Sequence, residues 1–269
     1  MAPDADAARS AKRADPFAPL TSEMLAVSDG HEIYVESVGR ADGIPAVYLH
    51  GGPGSGCQPD HRRLFDPERV SGIVLRATFL GTRAEVETGF TVRLPQFYPA
   101  LNEDFLSVLP PEERGQPIDA YWRRILDPDP AVHGPAARAW HDTERTLSEH
   151  KPARTRLDPA TLNSSRALPA TPFMEVHYFV NDCFMAPDQL LRNADKLAGI
   201  RGIIIQGRYD LLCPPETSQT LAKVWPGSEI RIVEEAGHSL YDPGVRDAVM
   251  KGIADLGTTI AREESIPSS

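Results

Sequence analysis

The sequence predicts an α/β protein, and three observations carry that expectation. In the last third of the chain, strand and helix patterns alternate: Ile203-Ile204-Ile205, Glu216 to Val224, Ile230 to Val233, then Val245 to Ile260. Such alternation implies a mostly parallel sheet with helices on its faces. Far upstream, Ala46 to Leu49 is a short apolar run between Pro45 and the glycine cluster Gly51-Gly52-Pro53-Gly54-Ser55-Gly56. That reads as a buried strand running straight into a tight loop. Between the two regions, Val70 to Phe79 is compact and apolar enough for an interior strand.

The remaining elements follow in order. Residues 1–16 alternate small and charged types without periodicity and are expected to be a disordered tail, leaving 17–82 and 173–269 to build the core. Met24 to Val38 suggests a hairpin, with Ala26-Val27 and Ile33-Tyr34-Val35 as strands and Ser28-Asp29-Gly30 as the turn. From Arg83 to Pro172 the texture changes: Phe97, Leu101, Phe105 and Leu109 recur at helical spacing. Ten of the chain's 25 prolines fall between Pro110 and Pro172, so helices there must be short and often stopped. Residues 83–172 therefore read as a helical cap, clearest at Asp119 to Leu126 and Ala131 to Leu147. Asp188 to Leu197 reads as a further helix behind Pro187.

Composition excludes more than it assigns. A net charge of −10 disfavours nucleic acid and anionic membrane as partners, since both select clustered Lys and Arg. Cys57, Cys183 and Cys213 show no CxxC spacing and leave an odd thiol, which suits a reducing compartment. The first 16 residues contain no apolar core of a signal peptide, and no run of 18 apolar residues follows. A cytoplasmic protein is the expectation.

Chemistry concentrates at two strand ends. Asp210 and His238 each follow a predicted strand, 28 residues apart, in the order Asp then His. The carboxyl edge of an open sheet is where ligand chemistry gathers. An Asp there can fix an imidazole tautomer and stabilise the imidazolium formed when the ring takes a proton. Singly, such an Asp is often a helix cap and a Gly-His a turn; the ordered pair behind a His-Gly-Gly loop points to catalysis.

His50-Gly51-Gly52-Pro53-Gly54, Asp60 to Pro67, Gln206-Gly207-Arg208-Tyr209-Asp210 and Gly237-His238-Ser239 resemble the proline iminopeptidases, serine peptidases that release N-terminal proline from peptides. Trp140, Glu175-Val176-His177-Tyr178-Phe179 and Trp225-Pro226-Gly227 look like family segments too, so the likeness runs from about Phe17 to Ile260. It implies an α/β-hydrolase-like sheet with a helical cap, a cytoplasmic enzyme and no cofactor. It further implies oxyanion-hole N–H groups at Gly51 and Gly52 and amine-anchoring carboxylates at Glu144 and Glu175. A prolyl N-terminus is cationic near neutral pH, so a specific site needs carboxylates in a partly desolvated pocket. Each Glu could equally be a solvated helix residue or a structural ion pair, and Glu144 is the more open case because the family's second Trp here is Thr143.

The family's nucleophile elbow, G-x-S-x-G, is missing: no serine or cysteine in the chain has glycine at both −2 and +2. Asp66-Pro67-Glu68-Arg69 runs directly into Val70, as though two family segments were joined with the intervening central strands, nucleophile and helices lost. Three readings follow. The chain is a proline iminopeptidase by family, impaired or inactive; or a non-catalytic relic binding prolyl amines or a protein partner; or an esterase-type hydrolase with an unrecognised nucleophile. Ser55 and Cys57 beside the glycine loop are the weak substitutes on offer.

Overall fold

The structure, a computed structural model, describes residues 19–28, 31–38 and 72–264. The N-terminal tail, the glycine loop with Gly51 and Gly52, Ser55, Cys57 and the Arg69–Val70 junction lie outside the described residues. Among the described residues, 19–38 belong to one compact unit and 72–264 to another.

The first unit contributes an antiparallel hairpin, β1 (Pro19–Ser28) and β2 (His31–Val38), with Met24 opposite Tyr34 and Leu25 opposite Ile33. Both strands reach well beyond the short apolar cores expected from the sequence.

The second unit carries a three-stranded parallel sheet, β3 (Ile73–Arg76), β4 (Gly202–Gly207) and β5 (Ser228–Val233), in the order β3-β4-β5. Register pairs Ile73 with Gly202 and Gly202 with Ser228. The α/β expectation holds. β4 is buried at every position while β3 and β5 are only partly so, as a central strand must be. The three isoleucines alternate across it. Ile203 and Ile205 face Gly252 of α10 (Val245–Glu264), and Ile204 packs with Leu221 and Trp225 around α9 (Pro215–Val224). Gly202 is what lets Trp225 lie down: a Cβ there would meet the indole at 2.2 Å.

β3 is shorter than the apolar run suggested, because Ala77 turns to φ +52° and ends it. Asp188 to Leu197 is not one helix but α8 (Gln189–Arg192) followed by a 3₁₀ turn, Ala194–Leu197. Asn193 breaks the run, its side-chain amide donating back to the Gln189 carbonyl; such local bonding competes with a continuing helix.

Between β3 and β4 the chain is helical: α1 (Arg83–Glu87), a π-helical stretch Thr88–Arg93, α2 (Leu94–Phe97), α3 (Pro99–Ser107), α4 (Pro117–Ile125), α5 (Pro130–Ser148), α6 (Pro159–Leu162) and α7 (Thr171–Phe179). Proline occupies the first turn of most of them, where its missing N–H costs nothing. Asp129 caps α5 by accepting from the Ala131 N–H at 2.8 Å. In the π-helical stretch the Leu94 N–H, just before Pro95, reaches the Gly89 carbonyl, one residue beyond its α-helical partner Phe90. Its consequence is a buried Phe90 stacked on Trp140 at 4.3 Å, next to Phe105 stacked on Tyr121 at 4.0 Å. These rings form the centre of the helical core. Among the described residues no helix is long and apolar enough to cross a membrane.

Candidate active site

The loops leaving the carboxyl ends of β4 and β5 meet. The Arg208 N–H donates to the Val233 carbonyl and the Tyr209 N–H to the Ala236 carbonyl, at 3.0 and 2.8 Å. Gly207 permits this approach, since a Cβ there would lie 2.0 Å from the Gly237 oxygen and 2.7 Å from that of Ala236. Gly207→Ala is therefore expected to push the two loops apart and destabilise the chain by about 1–3 kcal/mol. Urea unfolding measures the loss, and a variant as stable as the parent would contradict the close packing.

Across this junction the Asp210 Oδ2 lies 3.0 Å from the His238 Nδ1. Oδ1 accepts from the backbone N–H groups of Leu212 (3.0 Å) and Cys213 (2.8 Å). The carboxylate is 2% exposed, yet every bond it accepts favours its charge, which is how a buried anion is tolerated. With Nδ1–H directed at Asp210, the imidazole keeps Nε2 unprotonated, the form that can take a proton from a hydroxyl or water.

Several further residues hold this pair. Gln206, wholly buried under the loop, donates to the Cys213 carbonyl at 3.0 Å and accepts from the Ser218 hydroxyl at 2.6 Å. Asp242 accepts from the N–H groups of Gly237 (2.6 Å) and His150 (3.1 Å). The Ser148 carbonyl, at the end of α5, accepts from the N–H groups of both His238 and Ser239, at 2.8 and 2.9 Å. Arg76, ending β3, donates to the His238 carbonyl, and Arg93, ending the π-helical stretch, donates to that of Leu211 at 3.2 Å. Backbone carbonyls have no sequence signature, which is why these clamps are invisible in the chain read alone.

The helical segment brings the two glutamates to the same place. Glu144 sits one turn after Trp140 on α5, and the Trp140 Nε1–H donates to the Glu175 Oε2 of α7 at 3.1 Å. Glu175 is 4% exposed. Burial above all, and then the Glu144 charge, hold the Glu175 carboxyl well above the usual carboxylate range, against the opposing pull of Trp140. Burial raises Glu144 as well, while nearby His238 and a hydrogen bond shared with Glu175 draw it down. Two neighbouring carboxyls, one of them buried, cannot both ionise cheaply. Cys213 is also buried here, and that burial pushes its thiol well above its ordinary value, so it stays protonated and inert. Among the described residues no cluster of His, Cys, Asp and Glu could hold a metal.

Glu175 leaves a thermodynamic mark. A carboxyl whose pKa is raised by folding stabilises while protonated, and that contribution is lost as pH rises through its folded value. Glu175→Gln removes the penalty, so the variant is expected to melt several degrees above the parent at pH 8 and close to it at pH 5. Thermal melts at the two pH values check this; a variant less stable than the parent at pH 8 would contradict it.

No family model matches the chain. Individual relatives do. It is 32% identical to a proline iminopeptidase of Arabidopsis thaliana, over 86% of this chain and 78% of that one. It is 32% identical to a probable proline iminopeptidase of Leptolyngbya boryana, over 87% and 93%, and 30% identical to the proline iminopeptidase of Neisseria meningitidis serogroup A, over 88% and 96%. The first two alignments run over 298 and 305 positions, longer than the 269 residues of the chain, so several tens of positions have no residue here. Among solved structures, an alpha/beta fold family hydrolase from Bacillus anthracis str. Sterne aligns at a TM-score of 0.35 and 15% identity, over 68% of this chain and 57% of that one. With identity above 30% sustained across most of its length, the chain belongs to the proline iminopeptidase family of hydrolases.

Proposed function

We propose that this chain is built to bind peptides with an N-terminal proline and to present their first amide to His238, but that it lacks the nucleophile that would complete turnover. The observation that carries the reading is the hydrogen bond between Asp210 and His238, at 3.0 Å, where the loops after β4 and β5 meet. One half of the site is an acid–base pair poised to take a proton at Nε2. The other is a pair of carboxyls suited to a secondary ammonium, whose two N–H groups can each meet one acid. Gly51 and Gly52 stay the candidates for stabilising a developing oxyanion. The relatives' names, and the alignment positions without a counterpart here, support both halves of the proposal.

The test is binding rather than turnover. L-prolinamide titrated into the chain by calorimetry is expected to bind, and Glu175→Gln to weaken it at least tenfold. Equal affinity in parent and variant would remove the amine-anchoring role. Acetyl-prolinamide, which carries no cationic nitrogen, serves as the negative control.

A further inference from the structure

Apart from Asp210 and His238, a second concave surface lies wholly within residues 72–264. It is a groove of about 770 Å³. Ile73 and Leu75 line it from β3, Leu221 and Trp225 from α9 and its end, and Leu190 and Leu197 from the segment before β4. The alternation of β3 sets this up: Val74 turns to Gly252 of α10, so Ile73 and Leu75 turn the other way. The volume falls within the range of about 300–1,000 Å³ typical of small-molecule sites.

The polar groups around the groove select its occupant. The neutral ones are already bonded within the chain. Thr78 is joined to Ser218 at 3.1 Å, and the Trp225 Nε1–H donates to the Ile200 carbonyl at 3.0 Å. The Asn193 amide donates to the Gln189 carbonyl at 2.7 Å, and the Gln189 Oε1 accepts from the Ala186 N–H at 3.1 Å. The charged lining residues are Arg192 and Lys196, both exposed. Among the described residues, neither of these side chains takes part in a hydrogen bond or ion pair. Asp188 and Asp195 are near in sequence, but no acidic residue belongs to the lining. In a chain of net charge −10, two such cations beside an apolar groove reverse the local sign. An apolar tail ending in an anion complements both features: the tail leaves water, while the head meets the cations and stays hydrated.

We propose that this groove binds a free long-chain fatty acid. The alkyl tail lies along Ile73, Leu75, Leu221 and Trp225, and the carboxylate lies at Arg192 and Lys196. No covalent bond changes. A neutral amphiphile gives the cations no partner, and a cationic one is repelled by them. A bilayer fits less well, because the rest of the surface is anionic and a concave groove takes single chains. Each methylene buried in the groove is expected to tighten binding about fourfold. The inference rests on the groove alone and is independent of the amine-binding reading.

The experiment is calorimetry at pH 8 with decanoate, dodecanoate and tetradecanoate, each kept below its micelle-forming concentration. One-to-one binding is expected, tightening about fifteenfold for each added pair of methylenes until the groove is filled. Dodecyltrimethylammonium and dodecyl maltoside are expected to bind at least tenfold more weakly than dodecanoate. Leu190→Glu puts a carboxylate into the groove at a residue already 42% exposed, and should abolish dodecanoate binding. Arg192→Glu combined with Lys196→Glu should weaken it about tenfold. No saturable binding, or equal binding of the three head groups, overturns the proposal. So does dodecanoate binding that Leu190→Glu leaves unchanged, since the ligand would then sit elsewhere. Co-sedimentation with phosphatidylcholine vesicles without fatty acid binding would assign the groove to a lipid surface and overturn it too. The head-group and chain-length series use the parent alone, so a variant that failed to fold would not leave the question open.

Discussion

Offered a prolyl chromogenic amide, the purified 269-residue chain is expected to release product about 10⁶-fold more slowly than an intact relative, the loss that removal of the serine causes in subtilisin. A fluorophosphonate probe should leave it unlabelled. The reason is chemical before it is structural. His238 can accept a proton, but no serine or cysteine stands in a G-x-S-x-G turn to supply one. Among the described thiols, Cys183 and Cys213 both have burial-raised pKa values, which removes the thiolate either would need. Part of the oxyanion hole is expected to be lost with the elbow, since one donor is the N–H following the nucleophile. Ordinary enzymatic turnover by the pure chain would mean that another residue serves as nucleophile, and mass spectrometry of the acylated protein would identify it.

Inserting a nucleophile-bearing block from a relative at the proposed Arg69–Val70 junction, roughly 65 residues on ordinary strand and helix lengths, is expected to restore probe labelling and prolyl amidase activity. In that restored enzyme, Asp210→Asn should lower kcat about 10⁴-fold with little change in KM. The Asp210 side chain is bonded to His238, while Glu175 is bonded to Trp140. An amide at position 210 would still accept the Leu212 and Cys213 N–H groups, but it would favour the wrong imidazole tautomer. The pair of assays separates two failures. A restored chain that labels but is indifferent to Asp210→Asn would refute the dyad; one that folds yet never labels would refute the proposed loss of a block at that junction.

The chain displays some of this openly. The triplet Ile203-Ile204-Ile205 is a buried central strand because both faces are covered, one by Gly252 and the other by Trp225, and a continuous apolar run is how such a strand reads. Strand ends followed by Asp210 and His238 are legible for the same reason: parallel strands put their carboxyl ends on one edge. Asp119 to Leu126 and Ala131 to Leu147 keep a helical period and become α4 and α5. What stayed hidden depends on contacts distant in sequence or on the backbone alone. Nothing near Ser148 announces that its carbonyl will receive the His238 N–H, 90 residues on. The π-helical stretch is a shift of backbone bonding by one residue, from Phe90 to Gly89, that side-chain periodicity does not announce. The burial of Glu175 becomes visible only once Trp140 of another helix lies against it. Asp188 to Leu197 misled because its composition suits a helix while Asn193 diverts the backbone.

The clamp at Ser148 bears on how such proteins can be recombined. The last turn of α5 is fastened to His238 and Ser239, His150 is fastened to Glu235 and Asp242, and its ring lies flat on Tyr209 at 4.8 Å. A chimera that exchanged the helical segment for that of a relative, cutting at the ends of β3 and β4, would sever this seam on one side only. The histidine would then inherit a foreign carbonyl at a foreign height. Segments 145–150 and 235–242 therefore form one transferable cassette despite lying far apart in the chain, and recombination that respects the cassette should keep the imidazole in place where a cut at the strand ends would not.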